Sequence, residues 1–430
     1  MASTYLERNM TGNTASTKMT FSCWLKISNP STNGRVFGAQ ANACHAYFGG
    51  NGKLNIDFSA KNSGSVGAKL ETNRLFRDTN AWYHIVFALD TTLGTADDRI
   101  KFYVNGVQET SFSSRTNPGQ NDTYAYGQNG YYTVGARTSN QGSAGHYFDG
   151  LMSHVHYCDA YVYSASNFGS TDSTTGEWQI NTSPSVTYGT NGFFILKDGN
   201  SGTDQSPNTN NFTASGTLTK TEDCPSNVFA VLNPLSAQGS SITIAKGATE
   251  VNFDAGGYHA VYSTIGATSG KYYAECLVDA VGTSTSIGII SADTVNDVQQ
   301  TGDGDYMGKE SDSIGYVRDG EMYKANNLQQ TIATYTTNDI ISLAFDLDNN
   351  TIQFYKNGSS VGNTVSLTAN KTYMIGSSGY NGSRQRWNFG NGYFGNSTVS
   401  SAGTNASGNG IFEYDVPSGY TALSTKGLNL

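Results

Sequence analysis

The sequence is poor in charge. Lys, Arg, Asp and Glu make up 14% of its 430 residues, against about 25% in an average globular chain. The balance is acidic, with 25 basic and 34 acidic side chains for a net charge of −9, and no Lys/Arg cluster interrupts it. Such a chain is badly equipped to neutralise a phosphate backbone, which argues against nucleic acid as a partner. No run of about 18 apolar residues occurs, so no membrane-spanning helix is expected. The opening Met1-Ala2-Ser3-Thr4-Tyr5-Leu6-Glu7-Arg8 lacks the basic-then-apolar pattern of an export signal. Proline is scarce, at 7 residues, and cysteine is confined to Cys23, Cys44, Cys158, Cys224 and Cys276, with no C-x-x-C pair. An odd, scattered set of thiols is no disulfide framework; reduced cysteines in a protein assembled in a cytoplasm are expected. Windows rich in Ala, Glu, Lys and Leu are missing too, which disfavours a helix bundle.

What is abundant points the other way. Gly (50), Tyr (27) and Phe (20) are set among Thr, Ser and Asn, so turns and half-buried pleated surfaces are well supplied and disorder is not expected. Trp82 to Asp90 alternates: Tyr83, Ile85, Phe87 and Leu89 share one face, Trp82, His84, Val86 and Ala88 the other. Ile100-Lys101-Phe102-Tyr103-Val104 then runs into Asn105-Gly106, a hairpin signal because both turn residues must reach positive φ. The same grammar returns in the second half, where Ile352-Gln353-Phe354-Tyr355-Lys356 ends in Asn357-Gly358. Further strands are expected at 20–27, 131–136, 148–157, 192–197 and 340–348, with one or two helical turns within 163–178. The fold class expected is all-β: two antiparallel β-sandwiches in tandem, at 1–230 and 240–430, joined by a linker at 231–239 within a seam that runs from Thr221 to Gly239 and is flanked by Pro225 and Pro234.

Three stretches of the first half resemble a concanavalin A-like, laminin-G-type domain common in tail and virion proteins of marine bacteriophages. They are Tyr5-Leu6-x-Arg8 with Met19 to Lys26; Trp82 to Val86 with the Phe102-to-Gly106 hairpin; and Phe148-Asp149-Gly150-Leu151 through His156 with Phe168 to Asp172 and Gly176-Glu177-Trp178. The second half resembles a SPRY (B30.2-like) domain through Gly270 to Glu275, Ser286 to Ile289, Ser313 to Tyr316 and, most specifically, Phe345 through Gly358. The resemblance implies a non-enzymatic structural component of a virion, assembled in the host bacterial cytoplasm: a tail fibre, an adaptor or a capsid decoration subunit contributing to host attachment. The alternative is a carbohydrate-binding adhesin for host surface glycan; a polysaccharide depolymerase ranks third.

Candidate site residues follow from these readings. SPRY domains bind through loops at one end of the sandwich, and Tyr306, Tyr316, Arg318, Tyr323, Tyr380, Arg384, Arg386 and Trp387 are the candidates here. Aromatic faces with planar hydrogen-bonding groups suit sugar rings and protein interfaces alike, and the competing reading is that such rings are simply core. No cofactor is expected, although calcium is conceivable at Asp303 and Asp305. Weaker cation candidates are Asp97-Asp98, Asp149 and the Asp346-x-Asp348 turn, which lacks the distant bidentate Glu of a calcium loop. His154 and His156 stand two apart on one strand, a spacing that can ligate a metal, with Met152 and Cys158 expected on the same face. Catalysis has little support: none of the ten glutamates sits in an E-x-D-x-x-E spacing, and Glu413-Tyr414-Asp415 comes nearest. Without heptads or a G-X-Y run, assembly is expected to come from the sandwiches themselves, as a homo-oligomer (a trimer) docked on other virion proteins.

Overall fold

The computed structural model describes residues 4–14, 17–39, 44–59, 66–138, 144–174, 176–197, 201–237, 242–254, 257–294 and 306–429. Strands dominate. Helix among the described residues amounts to three single 3-10 turns, Ala96–Asp98, Ala165–Asn167 and Gly427–Asn429. The chain divides into two compact units, Met1–Lys220 and Thr221–Leu430.

In the first unit an eight-stranded sheet runs, in spatial order, Phe112–Thr116, Ala68–Thr72, Leu54–Phe58, Cys44–Gly49, Asn33–Ala39, Gly130–Val134, Tyr5–Met10 and Thr213–Ser215. A six-stranded sheet faces it: Phe193–Ile195, Gly150–Asp159, Lys18–Ile27, Trp82–Asp90, Ile100–Val104 and Val107–Glu109. The alternation of Trp82–Asp90 sorts as expected, with Ile85, Phe87 and Leu89 in the main core. Phe37 sits at the centre of an aromatic lattice, fully buried, its ring 4.5 Å from Phe21, 5.5 Å from Tyr126 and 5.7 Å from Tyr157.

The second unit repeats the plan. Its larger sheet follows Ile242–Ala245, Glu250–Phe253, Ser383–Asn388, Lys271–Val281, Ile340–Asp346, Thr351–Lys356 and Ser359–Ser366, with Thr421–Ala422 added parallel to Lys271–Val281. The smaller sheet follows His259–Ala267, Tyr373–Tyr380, Ser284–Ser291, Ser313–Val317, Glu321–Lys324 and Asn327–Thr331. Both expected hairpins form. Asn105 and Gly106 take φ 47° and 78°, and Asn357 and Gly358 take 48° and 79°, the pair of positive values that matches the twist of the flanking strands.

The boundary differs from the sequence expectation. The units part at Lys220/Thr221, the start of the expected seam rather than 230, and 231–239 is no free linker over the part described. The Ala230 N–H donates to the Leu423 carbonyl (2.9 Å), the Leu232 N–H to that of Ala248 (2.8 Å), and Ala230 and Leu232 belong to the second core. Two prolines marked a chain that leaves strand pairing, but Phe229 to Leu232 and Ser236 are buried while Leu235 is exposed. One expected face assignment also fails. A bulge between Ser153 and His156, with His154 at φ 48°, resets the alternation, so Met152 packs on the main core while Cys158 lies on the opposite face.

Truncating Phe37 tests the aromatic lattice. Phe37→Ala should lower the unfolding free energy of the first unit by about 3–5 kcal/mol, the usual cost of removing a buried ring, measured by chemical denaturation. A loss under about 1 kcal/mol would contradict the packing described.

Candidate functional site

On the smaller sheet of the second unit the outward face is almost stripped of side chains. The register puts Gly376 opposite Gly288 and Gly288 opposite Gly315, with Tyr262 beyond Gly376 and Tyr323 beyond Gly315. Ser286 and Ser378 pair in a neighbouring row. Into this trough the segment 306–308 lies flat. The Ser286 hydroxyl donates to the Met307 carbonyl (3.0 Å), the Met307 N–H donates to Ser378 Oγ (3.0 Å), and the Gly308 N–H donates to Ser313 Oγ (2.8 Å). The glycines are required: a Cβ on Gly315 would stand 1.8 Å from the Met307 oxygen, and one on Gly376 2.4 Å from Met307 Cε. Met307, 1% exposed, closes a small cluster with Ala260, Tyr262 and Ile290.

Seating Met307 places Tyr306 at the surface between two other tyrosines. Tyr380 stacks on Tyr258 at 5.4 Å, Tyr258 meets Tyr306 at 5.7 Å, and Tyr306 meets Tyr323 edge-on at 5.5 Å. All four rings are half-buried, forming a continuous aromatic ladder. The Tyr306 hydroxyl donates to Asn326 Oδ1 (2.9 Å) and the Tyr323 hydroxyl to Glu321 Oε2 (2.9 Å). Partial burial raises the Tyr306 phenol, and the bond to Glu321 raises that of Tyr323; both stay neutral donors. Three of the candidate residues, Tyr306, Tyr323 and Tyr380, thus come together. Tyr258 was missed, because it lies just before the strand His259–Ala267 and its role depends on stacking on the distant Tyr380, which no local pattern carries.

The other five candidates go elsewhere. Tyr316 and Trp387 are fully buried: Tyr316 packs edge-on against Tyr335 at 4.8 Å, and Trp387 stacks on Phe389 at 5.3 Å. Arg318 is engaged by Asp319 (3.0 Å) and the Gly282 carbonyl (3.1 Å). Arg384 and Arg386 lie on the larger sheet, where Arg384 pairs with Asp279 and Arg386 with Glu250 (2.8 Å). Strand alternation explains the division: Gln385 and Trp387 point inward, Arg384 and Arg386 outward.

Asp303 and Asp305 lie outside the described residues. Asp346 accepts from the N–H groups of Asp348 (3.1 Å) and Asn349 (2.9 Å) and from Lys271 (2.9 Å), closing the turn. Asp97 faces Arg115 and Asp98 faces Lys101. Among the described residues no group of three or more His, Cys, Asp or Glu side chains is placed to hold a metal. Glu413 and Asp415 cap the N–H groups of Ser400 and Thr404 (both 2.6 Å). Buried Glu275 accepts from the N–H groups of Glu413 (2.8 Å) and Tyr414 (2.9 Å); burial pushes its carboxyl up to about 7 against those bonds.

His154 and His156 belong to a different structure. Their ring centres are 6.5 Å apart, but His156 Nδ1 is engaged by the Tyr188 hydroxyl (3.0 Å) and its ring stacks on Phe194 at 3.9 Å. Nearby, the Trp178 indole N–H donates to His84 Nδ1 (3.0 Å), so the His84 proton sits on Nε2, against Ser22 Oγ (2.8 Å). These bonds fasten residues 178–188 over the smaller sheet of the first unit.

Residues 2–166 match the concanavalin A-like lectin/glucanases superfamily (laminin G type), and residues 271–392 match the SPRY domain. The chain carries a concanavalin A-like domain and a SPRY domain in tandem. The first domain continues past its matched span, since the strand Thr213–Ser215 pairs with Tyr5–Met10, and the tyrosine ladder falls within the SPRY domain and its immediate flank. No curated protein matches the chain. Among solved structures, the SPRY domain of human HERC1 is 21% identical, covering 36% of this chain and 96% of that one with a TM-score of 0.29. A Bacteroides ovatus protein provisionally described as carbohydrate binding is 16% identical, covering 50% of this chain and 56% of that one with a TM-score of 0.34. Stonustoxin is 15% identical, covering 37% of this chain and 27% of that one at 0.29.

The buried histidines make the concanavalin A-like domain acid-sensitive. Burial pushes His84 from 6.5 down to about 3 and His156 well below its ordinary value. Unfolded, both take up a proton near 6.5; folded, they stay neutral. Unfolding therefore binds protons between those limits, so the stabilisation is complete above about pH 6.5 and falls as pH drops toward 3. Thermal melts of this domain should shift downward from pH 7 to pH 5, and His84→Gln should flatten the slope. An unchanged slope in that variant would contradict the assignment.

Proposed function

We propose that the protein works by binding rather than catalysis, as an attachment component of a bacteriophage particle that holds host-surface glycan on the tyrosine ladder of its SPRY domain. The observation that carries this reading is the ladder itself: four neighbouring rings, half-exposed and fixed by a strap seated in a glycine trough. Rings held in place lose little side-chain entropy on contact. Their faces accept the apolar side of a pyranose, while the Asn326 amide and the Glu321 carboxylate at one end offer polar partners for hydroxyls. The phage setting, as tail fibre, adaptor or capsid decoration, rests on the sequence resemblances of both domains. In that setting the chain assembles with copies of itself, as a trimer, and with other virion proteins through sandwich surfaces low in charge.

A glycan array read with purified protein tests the proposal. Wild-type protein should retain at least one class of bacterial surface oligosaccharide. Tyr306→Ala should weaken that binding roughly tenfold, about 1.4 kcal/mol. Gly315→Ala, which removes no ring but collides with the Met307 oxygen, should weaken it comparably by displacing the strap. An array without hits, or hits indifferent to both substitutions, would overturn the reading.

A further inference from the structure

The sandwich of the SPRY domain is open along one side, where the last strand of each sheet meets solvent. Ser359–Ser366 ends the larger sheet and Asn327–Thr331 ends the smaller one. Neither strand holds a charged residue or a proline, and both are largely exposed. The opposite edge of the smaller sheet, His259–Ala267, is treated differently. Residues 231–233 lie along it, the Thr264 N–H donating to the Val231 carbonyl and the Asn233 N–H to that of Tyr262 (both 2.8 Å).

An uncovered strand edge offers its outward N–H and C=O groups to any other strand, and proteins blunt such edges with charge, proline, bulges or a cover. Here the two open edges are tied to each other by side chains. Gln330 Nε2 donates to the Asn363 carbonyl (2.7 Å), and Gln330 Oε1 accepts from the Asn363 N–H (2.8 Å). That is the reciprocal pair of bonds a residue of a neighbouring antiparallel strand would make, supplied by one side-chain amide. Lys324 Nζ donates to the Ser366 carbonyl (2.7 Å). The backbone is shaped to admit this clamp. Between Val361 and Val365 the strand bulges past Gln353, and Gly362 stands in the bulge at φ 66°. A Cβ on Gly362 would lie 2.7 Å from Gln330 Oε1. Packing does not close the rest of the seam: a groove of about 390 Å³ opens between the strands, lined by both bridging pairs.

The partner such an edge fits is a second copy of itself. Ser359–Ser366 is uncharged, so two copies meet without repulsion, and antiparallel pairing about a two-fold axis matches the strand to its own image. We propose that Gln330 is a guard: its amide occupies the pairing groups of Asn363 and keeps the SPRY domains of two copies from joining edge to edge through Ser359–Ser366. The inference does not rest on the glycan reading.

Sedimentation velocity of the full chain, paired with hydrogen exchange over residues 359–366, tests this. Gln330→Ala releases two hydrogen bonds to the edge, and should lower the concentration at which the protein associates beyond its wild-type state roughly tenfold. At low concentration the Asn363 amide of this variant should exchange roughly tenfold faster than in wild type, and association should slow it again. Adding Thr364→Lys, a charge on the exposed edge, should abolish the association and leave the fast exchange in place. Gly362→Ala, which displaces the clamp from the other strand, should behave as Gln330→Ala does and supplies the test where that variant does not fold. Association no stronger than in wild type, association that leaves 359–366 fast-exchanging, or association indifferent to Thr364→Lys would overturn the proposal.

Discussion

A β-sheet that packs one face on a core must do something with the other, and the treatment of that second face governs this molecule. In both domains the smaller, six-stranded sheet is covered on its outer side by a strap of chain. The concanavalin A-like domain fastens its strap by chemistry: Trp178 donates to His84 and Tyr188 engages His156, inside a layer that also holds Phe168 and Phe194. The SPRY domain fastens its strap by emptiness, with Gly288, Gly315 and Gly376 leaving a floor on which Met307 can lie. The first solution depends on neutral imidazoles and is exposed to acid. The second depends on the absence of Cβ atoms.

The consequence for function is positional. A strap seated at backbone distance carries Tyr306 to a fixed height above the sheet, level with Tyr258, Tyr323 and Tyr380 from its margins. A rigid row of aromatic rings costs little to bind against, because its rotamers are already chosen.

Much of the fold was legible in the sequence because it rests on short-range patterns. The two Asn-Gly hairpins, the alternation of Trp82 to Asp90 and the scarcity of helix formers are local signals, and each corresponds to an observed element. The site was legible only in part. Tyr306, Tyr323 and Tyr380 were recognised as surface-capable rings, but Tyr316 and Trp387 have the same composition and differ only in which side of a strand they occupy. Phase decides that, and phase is set by register and bulges across strands far apart in sequence, as the positive φ of His154 illustrates. The same limit hid Tyr258. The units part at the start of the expected seam, at Thr221, because proline reports the loss of strand pairing, whereas Ala230 and Leu232 are held by burial.

The central claim, that the ladder is the contact surface of the SPRY domain, is tested most directly by watching the rings. With tyrosine ring carbons labelled and assigned by substitution, the NMR signals of Tyr258, Tyr306, Tyr323 and Tyr380 should shift together and saturably as a bound oligosaccharide is added. Those of Tyr262 and Tyr316, buried beneath and behind the trough, should stay in place. Saturable binding that leaves the four ladder signals unmoved would contradict the account.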